Sequence, residues 1–115
     1  GAEPLAILVQ VNASGEETKS GLTPETAPAA VAEIAGLPGL RVEGLMTMAP
    51  FTDDRAVLRE TFRATRRTLE CCEERTGELR GRVLSMGMSN DYEVAVEEGS
   101  TRVRLGTVLL GERTE

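Results

Sequence analysis

The fold is decided by residues 82–107, which read RVLSMGMSNDYEVAVEEGSTRVRLGT. Residues 82–86 are predicted to be a strand. A glycine turn follows at 87–89, then a short helix is predicted over 90–98 and a further strand over 101–107. A strand, a helix and a second strand in this order predict two parallel strands joined by a right-handed crossover.

The same alternation runs through the N-terminal part of the chain. Residues 5–12 form a nearly continuous apolar run that ends in polar residues, which is typical of a strand buried on both faces. Residues 41–49, followed by Pro50, are predicted to be a second strand. A helix is predicted between them. It begins with Thr23 as its N-cap and Pro24 at its first position, and it ends before Gly36.

A long helix is predicted between the second and third strands. Thr52, Asp53 or Asp54 can cap it, it runs to about Thr76, and Gly77 stands where a helix-terminating glycine belongs. Its apolar or small residues are spaced by four, three, four and three along the chain: Leu58, Phe62, Thr65, Leu69 and Cys72. This spacing predicts one buried helix face.

Four strand–helix units in succession predict a single α/β domain over residues 1–115 with a parallel sheet. Residues 1–4 are expected to be a cloning scar or a disordered lead. Four such units form either half of a (β/α)8 TIM barrel or a small doubly wound, flavodoxin-like sheet. Hydrophobic periodicity does not separate these two architectures.

The composition excludes several function classes. The 115 residues carry 13 Lys and Arg against 19 Asp and Glu, for a net charge of −6, and they include no His. Since phosphate backbones and anionic membranes bind clustered Lys and Arg, neither a nucleic-acid partner nor a membrane partner is expected. Without His there are no His-ligated metals or His-activated nucleophiles, and no metal site is predicted. Lys19 is the only lysine.

The two cysteines, Cys71 and Cys72, are adjacent on the predicted long helix. Neighbouring side chains on a helix point about 100° apart, so a disulfide between them is not expected. Two reduced cysteines, together with the absence of any apolar run of about 18 residues, predict a cytoplasmic protein.

Ligands of parallel α/β folds bind at the carboxyl ends of the strands, and two clusters there indicate phosphate binding. In residues 85–91 a strand ends at a glycine turn, and Ser89 precedes a helix whose free N–H groups favour an anion. The alternative is that Ser89 only caps this helix. Gly106 and Thr107 end the next strand, and Arg104 before them is expected to reach either a ligand or an acidic side chain.

The four methionines form a further pattern, because all of them fall near strand ends. They could line one wall of a pocket for a planar ligand, or they could fill the core. These residues are Met46, Met48, Met86 and Met88.

The chain resembles a known family over residues 5–113. The stretches VNASGEETKSGL, LRVEGLMTMAP, LSMGMSNDYEVAVEEGSTRVRLGT and LLGER look like the C-terminal half of the pyridoxal phosphate homeostasis proteins, the YggS/PROSC family. Members of that family are cytoplasmic (β/α)8 barrels of fold type III, related to the alanine racemase N-terminal domain. They hold pyridoxal 5′-phosphate (PLP) as a Schiff base and have no well-established catalytic turnover.

The resemblance implies roles for individual residues. Ser89 with the backbone around Met88, and Gly106 with Thr107, would hold the phosphate of PLP. Arg104 would lie near the pyridine nitrogen and keep it unprotonated, which suits a carrier better than a catalyst. Met46 would lie near the pocket, and no catalytic residue is assigned.

The family's Schiff-base lysine lies at the end of the first barrel strand, which the resemblance places upstream of this chain, and Lys19 matches a different lysine of the family. We therefore expect a PLP-binding homeostasis fragment that is not an enzyme, associated with a second copy or with a missing N-terminal half. Two alternatives stay open at this point. One is a self-associating half-barrel or designed scaffold with no ligand, and the other is a racemase-like PLP enzyme.

Overall fold

The computed structural model describes residues 4–14, 21–77, 79 and 82–104. Strands and helices alternate along this part of the chain: β1 (Leu5–Gln10), α1 (Ala27–Ala35), β2 (Leu40–Met46), α2 (Arg55–Thr76), β3 (Val83–Met88), α3 (Tyr92–Glu97) and β4 (Arg102–Arg104). The end of the predicted strand at 101–107 lies outside the described residues.

The described strands form one parallel sheet in the order β1–β2–β3–β4. Helix α1 packs against β2, α2 against β2 and β3, and α3 against β3 and β4, and α2 also contacts both α1 and α3. A doubly wound sheet would reverse its strand order at a switch point and place helices on both faces. Consecutive order with one continuous helix layer is the arrangement of a barrel segment, so the α/β half-barrel prediction is confirmed and the flavodoxin-like alternative is wrong.

The core lies between this sheet and the helix layer. Val9 pairs with Leu45, and Leu45 pairs with Leu84, so that all three side chains share the face that packs on Phe62 of α2. Side chains alternate along a strand, so the following residue of each strand faces the other way. That opposite row consists of Gln10, Met46, Ser85 and Arg102.

Helix α2 begins and ends where its sequence predicts. The carboxylate of Asp54 accepts hydrogen bonds from the N–H groups of Ala56 and Val57, and Gly77 follows the last turn with φ +91°. All five positions of the predicted apolar face are buried. No helix in the described ranges is long and apolar enough to span a membrane.

Helix α1 begins three residues later than predicted. Thr23 and Thr26 exchange hydrogen bonds, each side-chain oxygen accepting from the other residue's backbone N–H at 3.2 Å. These bonds hold residues 23–26 as a turn. Thr26 therefore takes the N-cap position, and Pro28 lies in the first helical turn. The assignment of Pro24 to the first helical position is wrong.

Both cysteines are free thiols on α2, with Cys71 exposed and Cys72 fully buried. Burial raises the pKa of the Cys72 thiol to about 11. The Cys72 side chain is therefore a neutral part of the core at physiological pH.

Candidate functional site

The carboxyl ends of the four strands meet at one edge of the sheet, and the predicted site residues gather there. Met46 ends β2, Met88 ends β3, and Arg104 is the last described residue of β4. Met88 is the register partner of Arg104, so these two residues lie side by side. Ser89 follows immediately after Met88. The structure thus brings four of the predicted site residues together.

Gly106 and Thr107, the second half of the predicted phosphate site, lie outside the described residues, as does Lys19. Their roles stay predictions.

Arg104 is partly buried, and its guanidinium crosses the sheet. Its Nη1 donates a 2.8 Å hydrogen bond to Ser85 Oγ on β3, and its Nη2 donates a 3.4 Å bond to the carbonyl oxygen of Thr47 after β2. Within the described part of the chain no carboxylate forms an ion pair with Arg104. The sequence left a ligand and an acidic side chain open as partners of Arg104, and in this region its partners are neutral.

Thr47 and Ser85 join the ends of the inner strands. The hydroxyl of Thr47 donates a 2.6 Å bond to the carbonyl of Val11, and its N–H donates to the carbonyl of Ser85. Thr47 is fully buried, and Ser85 is 3% exposed to solvent. Sequence reasoning missed both residues. A hydroxyl inside or directly after an apolar strand could have identified them. Such a hydroxyl is expected to be buried, and a buried hydroxyl requires a hydrogen-bond partner.

The turn between β3 and α3 is built differently from its prediction. The buried carboxylate of Asp91 accepts a 2.7 Å bond from the N–H of Met88, and the Asp91 N–H donates to the Met88 carbonyl. Helix α3 begins at Tyr92, with Asp91 at the N-cap position. The predicted helix start at residue 90 and the alternative of Ser89 as N-cap are therefore wrong, because residues 88–91 close a turn first.

This turn affects the phosphate prediction in one respect. The Met88 N–H is bound to Asp91, so the backbone donor expected at Met88 is used within the turn. Ser89 and Asn90 line a small hollow of about 40 Å³, and Arg55 from the start of α2 lines it as well. Sequence reasoning missed Arg55, which brings a cation to a hollow that the acidic residues Asp91 and Glu93 also line.

A larger open hollow lies next to this turn. Its volume is about 480 Å³, and it is lined by Asn90 and by Phe51, Thr52 and Asp53 from the segment that follows β2. Asn90 borders both hollows, so the β3–α3 turn contributes to each of them.

Gly87 permits the close packing that positions the turn. Its φ is +104°, and a Cβ atom built on it would lie 2.7 Å from the Cβ of Ala95 on α3. A side chain at this position would therefore push α3 away from β3. The glycine of the MGM sequence is required for contact between the strand and the helix.

Ion pairs join the C-terminal end of α3 to α2. The buried carboxylate of Glu98 accepts a 2.7 Å hydrogen bond from Arg59 and two bonds, of 3.0 and 3.1 Å, from Arg63. Hydrogen bonding to Arg63, and then to Arg59, holds the pKa of Glu98 below its ordinary value of 4.5. Since both arginines belong to α2, this cluster fixes α3, and with it the site turn, against the long helix.

The fold and site define a class of protein: a singly wound parallel α/β unit whose polar groups and hollows lie at the carboxyl edge of the sheet. The chain matches the family described as "Alanine racemase, N-terminal domain" over residues 1–114. It belongs to that family.

Individual relatives are more specific. The chain is 44% identical over 109 residues to the pyridoxal phosphate homeostasis protein of Aquifex aeolicus, covering 93% of this chain and 46% of the relative. It is 43% identical over 113 residues to the protein of the same name from Pseudomonas aeruginosa, covering 98% and 47%. The family resemblance predicted from the sequence is confirmed. The chain spans about half the length of these curated relatives.

A solved structure agrees with this relationship. PipY of Synechococcus elongatus PCC7942, in a structure with PLP bound, superposes with a TM-score of 0.74 at 29% identity. The match covers 89% of this chain and 47% of PipY.

Proposed function

We propose that this chain carries the phosphate-binding and ring-facing part of a PLP site, and that it serves PLP homeostasis by binding the cofactor without turning over a substrate. The proposal rests on the surroundings of Arg104. This residue is a partly buried cation at the carboxyl edge of the sheet, held only by neutral groups within the described residues. The cofactor is identified as PLP by the chain's relatives, which are named for PLP homeostasis, and by the PLP bound to PipY.

The residues present fit an anionic, planar cofactor. Ser89, with Gly106 and Thr107, would hold the phosphate, and the backbone after Met88 would contribute to this site. Arg104 would face the pyridine nitrogen. Met46 would contact the ring from the same sheet face, since it is the register partner of Ser85. When bound, PLP supplies an electrophilic aldehyde and an electron-withdrawing ring.

Arg104 would limit that ring chemistry. An arginine side chain keeps its proton at any physiological pH, so it can donate a hydrogen bond to the pyridine nitrogen without protonating it. An unprotonated ring withdraws electrons poorly. Holding the cofactor in this state favours storage over catalysis, in keeping with an assignment of no catalytic residue.

We further propose that this chain corresponds to the C-terminal half of its relatives and that their Schiff-base lysine belongs to the other half. Lys19 would not replace it, because the family places Lys19 in another loop. Binding of PLP to this chain would then be noncovalent. Borohydride treatment of the PLP-loaded chain would leave no covalent adduct at Lys19, as checked by mass spectrometry.

The central experiment is a PLP titration followed by fluorescence quenching, with inorganic phosphate as competitor. Arg104→Ala weakens PLP binding by at least about tenfold, because a charged hydrogen bond to the ligand is lost. Arg75→Ala is the control, since it removes the same charge at an exposed position in the last turn of α2, away from the strand row that holds Ser85. The absence of PLP binding by the unmodified chain, or equal losses in the two variants, would overturn the proposal.

The same function requires a partner that completes the barrel. The described sheet is open, with β1 and β4 as its edges, and unpaired edges favour association with further strands. We propose that a second copy of the chain, or the other half of its relatives, covers these edges. Sedimentation equilibrium should give a concentration-dependent mass above that of the monomer. A monomer at high micromolar concentration that melts cooperatively would contradict association.

The open edges also support a second candidate function, a self-associating half-barrel with no ligand. In that case the sedimentation result would stand while PLP and phosphate both fail to bind. The titration and the sedimentation experiment together therefore distinguish the two candidates.

A further inference from the structure

In the hydrogen bond between Arg104 and Ser85, the arginine is the donor and the serine is the acceptor. A guanidinium carries five N–H donors and has no acceptor, so Ser85 Oγ must accept the 2.8 Å bond from Nη1. The carbonyl of Thr47 accepts from Nη2 on the neighbouring strand. Because the guanidinium is planar, two bonds from its two terminal nitrogens determine the orientation of its plane.

Both acceptors are rigid. Ser85 lies inside β3 and is 3% exposed, and Thr47 is fully buried. Thr47 is itself held by its hydroxyl bond to Val11 and by its N–H bond to the Ser85 carbonyl. The orientation of Arg104 is therefore set by the ends of three neighbouring strands, while its own strand, β4, contributes only the side chain.

The acceptors are also neutral. A carboxylate in the place of Ser85 would hold the arginine more tightly but would cancel its charge toward any ligand. A serine hydroxyl orients the guanidinium and leaves its full positive charge, and its remaining N–H donors, for another acceptor. Neutral acceptors of this kind suit an arginine that must bind something else.

We propose that Ser85 is a positioning residue: its hydroxyl, together with the Thr47 carbonyl, fixes the plane of Arg104 toward an acceptor atom of the bound ligand. The identity of that ligand as PLP rests on the proposed function above. The orientation of Arg104 does not, because it is a property of the free chain. The two statements are therefore tested separately.

The first measurement uses no ligand. Rotation of the Arg104 guanidinium about its Nε–Cζ bond is followed by ¹⁵N NMR, with the resonance assigned by its loss in Arg104→Lys. Ser85→Ala removes the acceptor and accelerates this rotation. Ser85→Thr retains the hydroxyl and slows the rotation again. Ser85→Cys keeps the size but accepts only weakly, so it accelerates rotation even if Ser85→Ala does not fold.

The matched control is Ser100→Ala. Ser100 also lies beside β3 and donates its hydroxyl to the Met86 carbonyl at 2.7 Å, but no bond joins it to Arg104. Removing this hydroxyl costs a comparable hydrogen bond and leaves the rotation of Arg104 unchanged. A purely structural role for Ser85 would make Ser85→Ala and Ser100→Ala behave alike.

The second measurement adds PLP labelled with ¹⁵N in its ring. Ser85→Ala weakens PLP binding by about tenfold, as expected for a lost charge-assisted contact, and shifts the ring ¹⁵N resonance, whereas Ser100→Ala does neither. Unchanged rotation in both Ser85→Ala and Ser85→Cys would overturn the positioning role. Failure of the unmodified chain to bind PLP would overturn the proposed function alone, and the rotation measurement would still decide the role of Ser85.

Discussion

The carboxylate of Asp91 accepts a 2.7 Å hydrogen bond from the backbone N–H of Met88, and this contact closes the turn that carries Ser89 and Asn90. The reverse backbone bond, from the Asp91 N–H to the Met88 carbonyl, completes a four-residue turn. Asp91 is 7% exposed, so its carboxylate is a structural part of the site. The carboxyl end of β3 is therefore held in shape before any ligand arrives.

The first prediction concerns this carboxylate. Asp91→Ala destabilises the fold by about 1.5–3 kcal/mol, because the Met88 N–H loses a charged acceptor at a part-buried position. Asp91→Asn keeps an acceptor oxygen and loses less. Urea unfolding followed by circular dichroism gives both values. An unchanged midpoint for Asp91→Ala would show that the turn does not need its carboxylate.

The second prediction concerns the backbone before that turn. Gly87→Ala costs about 1–2 kcal/mol for a left-handed backbone and about 1–3 kcal/mol more for the clash with Ala95. Gly39→Ala is the control. Gly39 has φ +86°, but a Cβ atom there meets nothing within 4 Å, so only the backbone cost remains. Thermal unfolding compares the two, and equal losses would contradict close packing of α3 on β3.

Local chemistry explains what the sequence predicted correctly in the fold. Helix α2 could be delimited because Asp54 and Gly77 act within one turn of their own positions. The start of helix α1 could not be predicted in this way, because the reciprocal hydrogen bonds between Thr23 and Thr26 compete with a helix start at Pro24. Turn chemistry that depends on a pair of side chains is not visible in the preference of either residue alone.

The candidate site was predictable only in part. Met46, Met88, Ser89 and Arg104 follow from the rule that ligands bind at strand ends. The contact between Arg104 and Ser85 joins residues 19 positions apart, across a strand pair whose register is irregular between Ser85 and Met88. Such an irregularity is a tertiary property that hydrophobic periodicity does not encode.

The third prediction concerns pH. Because the pKa of Glu98 is lowered in the folded state, its carboxylate stabilises the fold above the ordinary value of 4.5. This contribution is lost as the pH falls from there through the lowered pKa. Glu98→Gln therefore reduces stability at pH 7 and flattens the acid side of the stability profile below pH 4.5. Urea midpoints measured from pH 7 to pH 3 test both effects.

The control for this experiment lies on the same helix. Glu93 is exposed and forms no ion pair with any described residue, so Glu93→Gln makes the same charge change without breaking an ion pair among them. An acid limb equally steep in Glu98→Gln and in the unmodified chain would exclude the cluster with Arg59 and Arg63 as a source of acid sensitivity.

The fourth prediction compares the two phenylalanines of the chain. Phe62 is fully buried on α2, at the centre of the core between helices and sheet, whereas Phe51 is 92% exposed beside the larger hollow. Phe62→Ala leaves a cavity and destabilises the fold by about 3–5 kcal/mol. Phe51→Ala changes stability by less than about 0.5 kcal/mol, as is usual for a surface residue. Urea unfolding of both variants measures the difference. Similar losses would mean that Phe51 is covered in solution, which would place the partner surface at the carboxyl edge of the sheet.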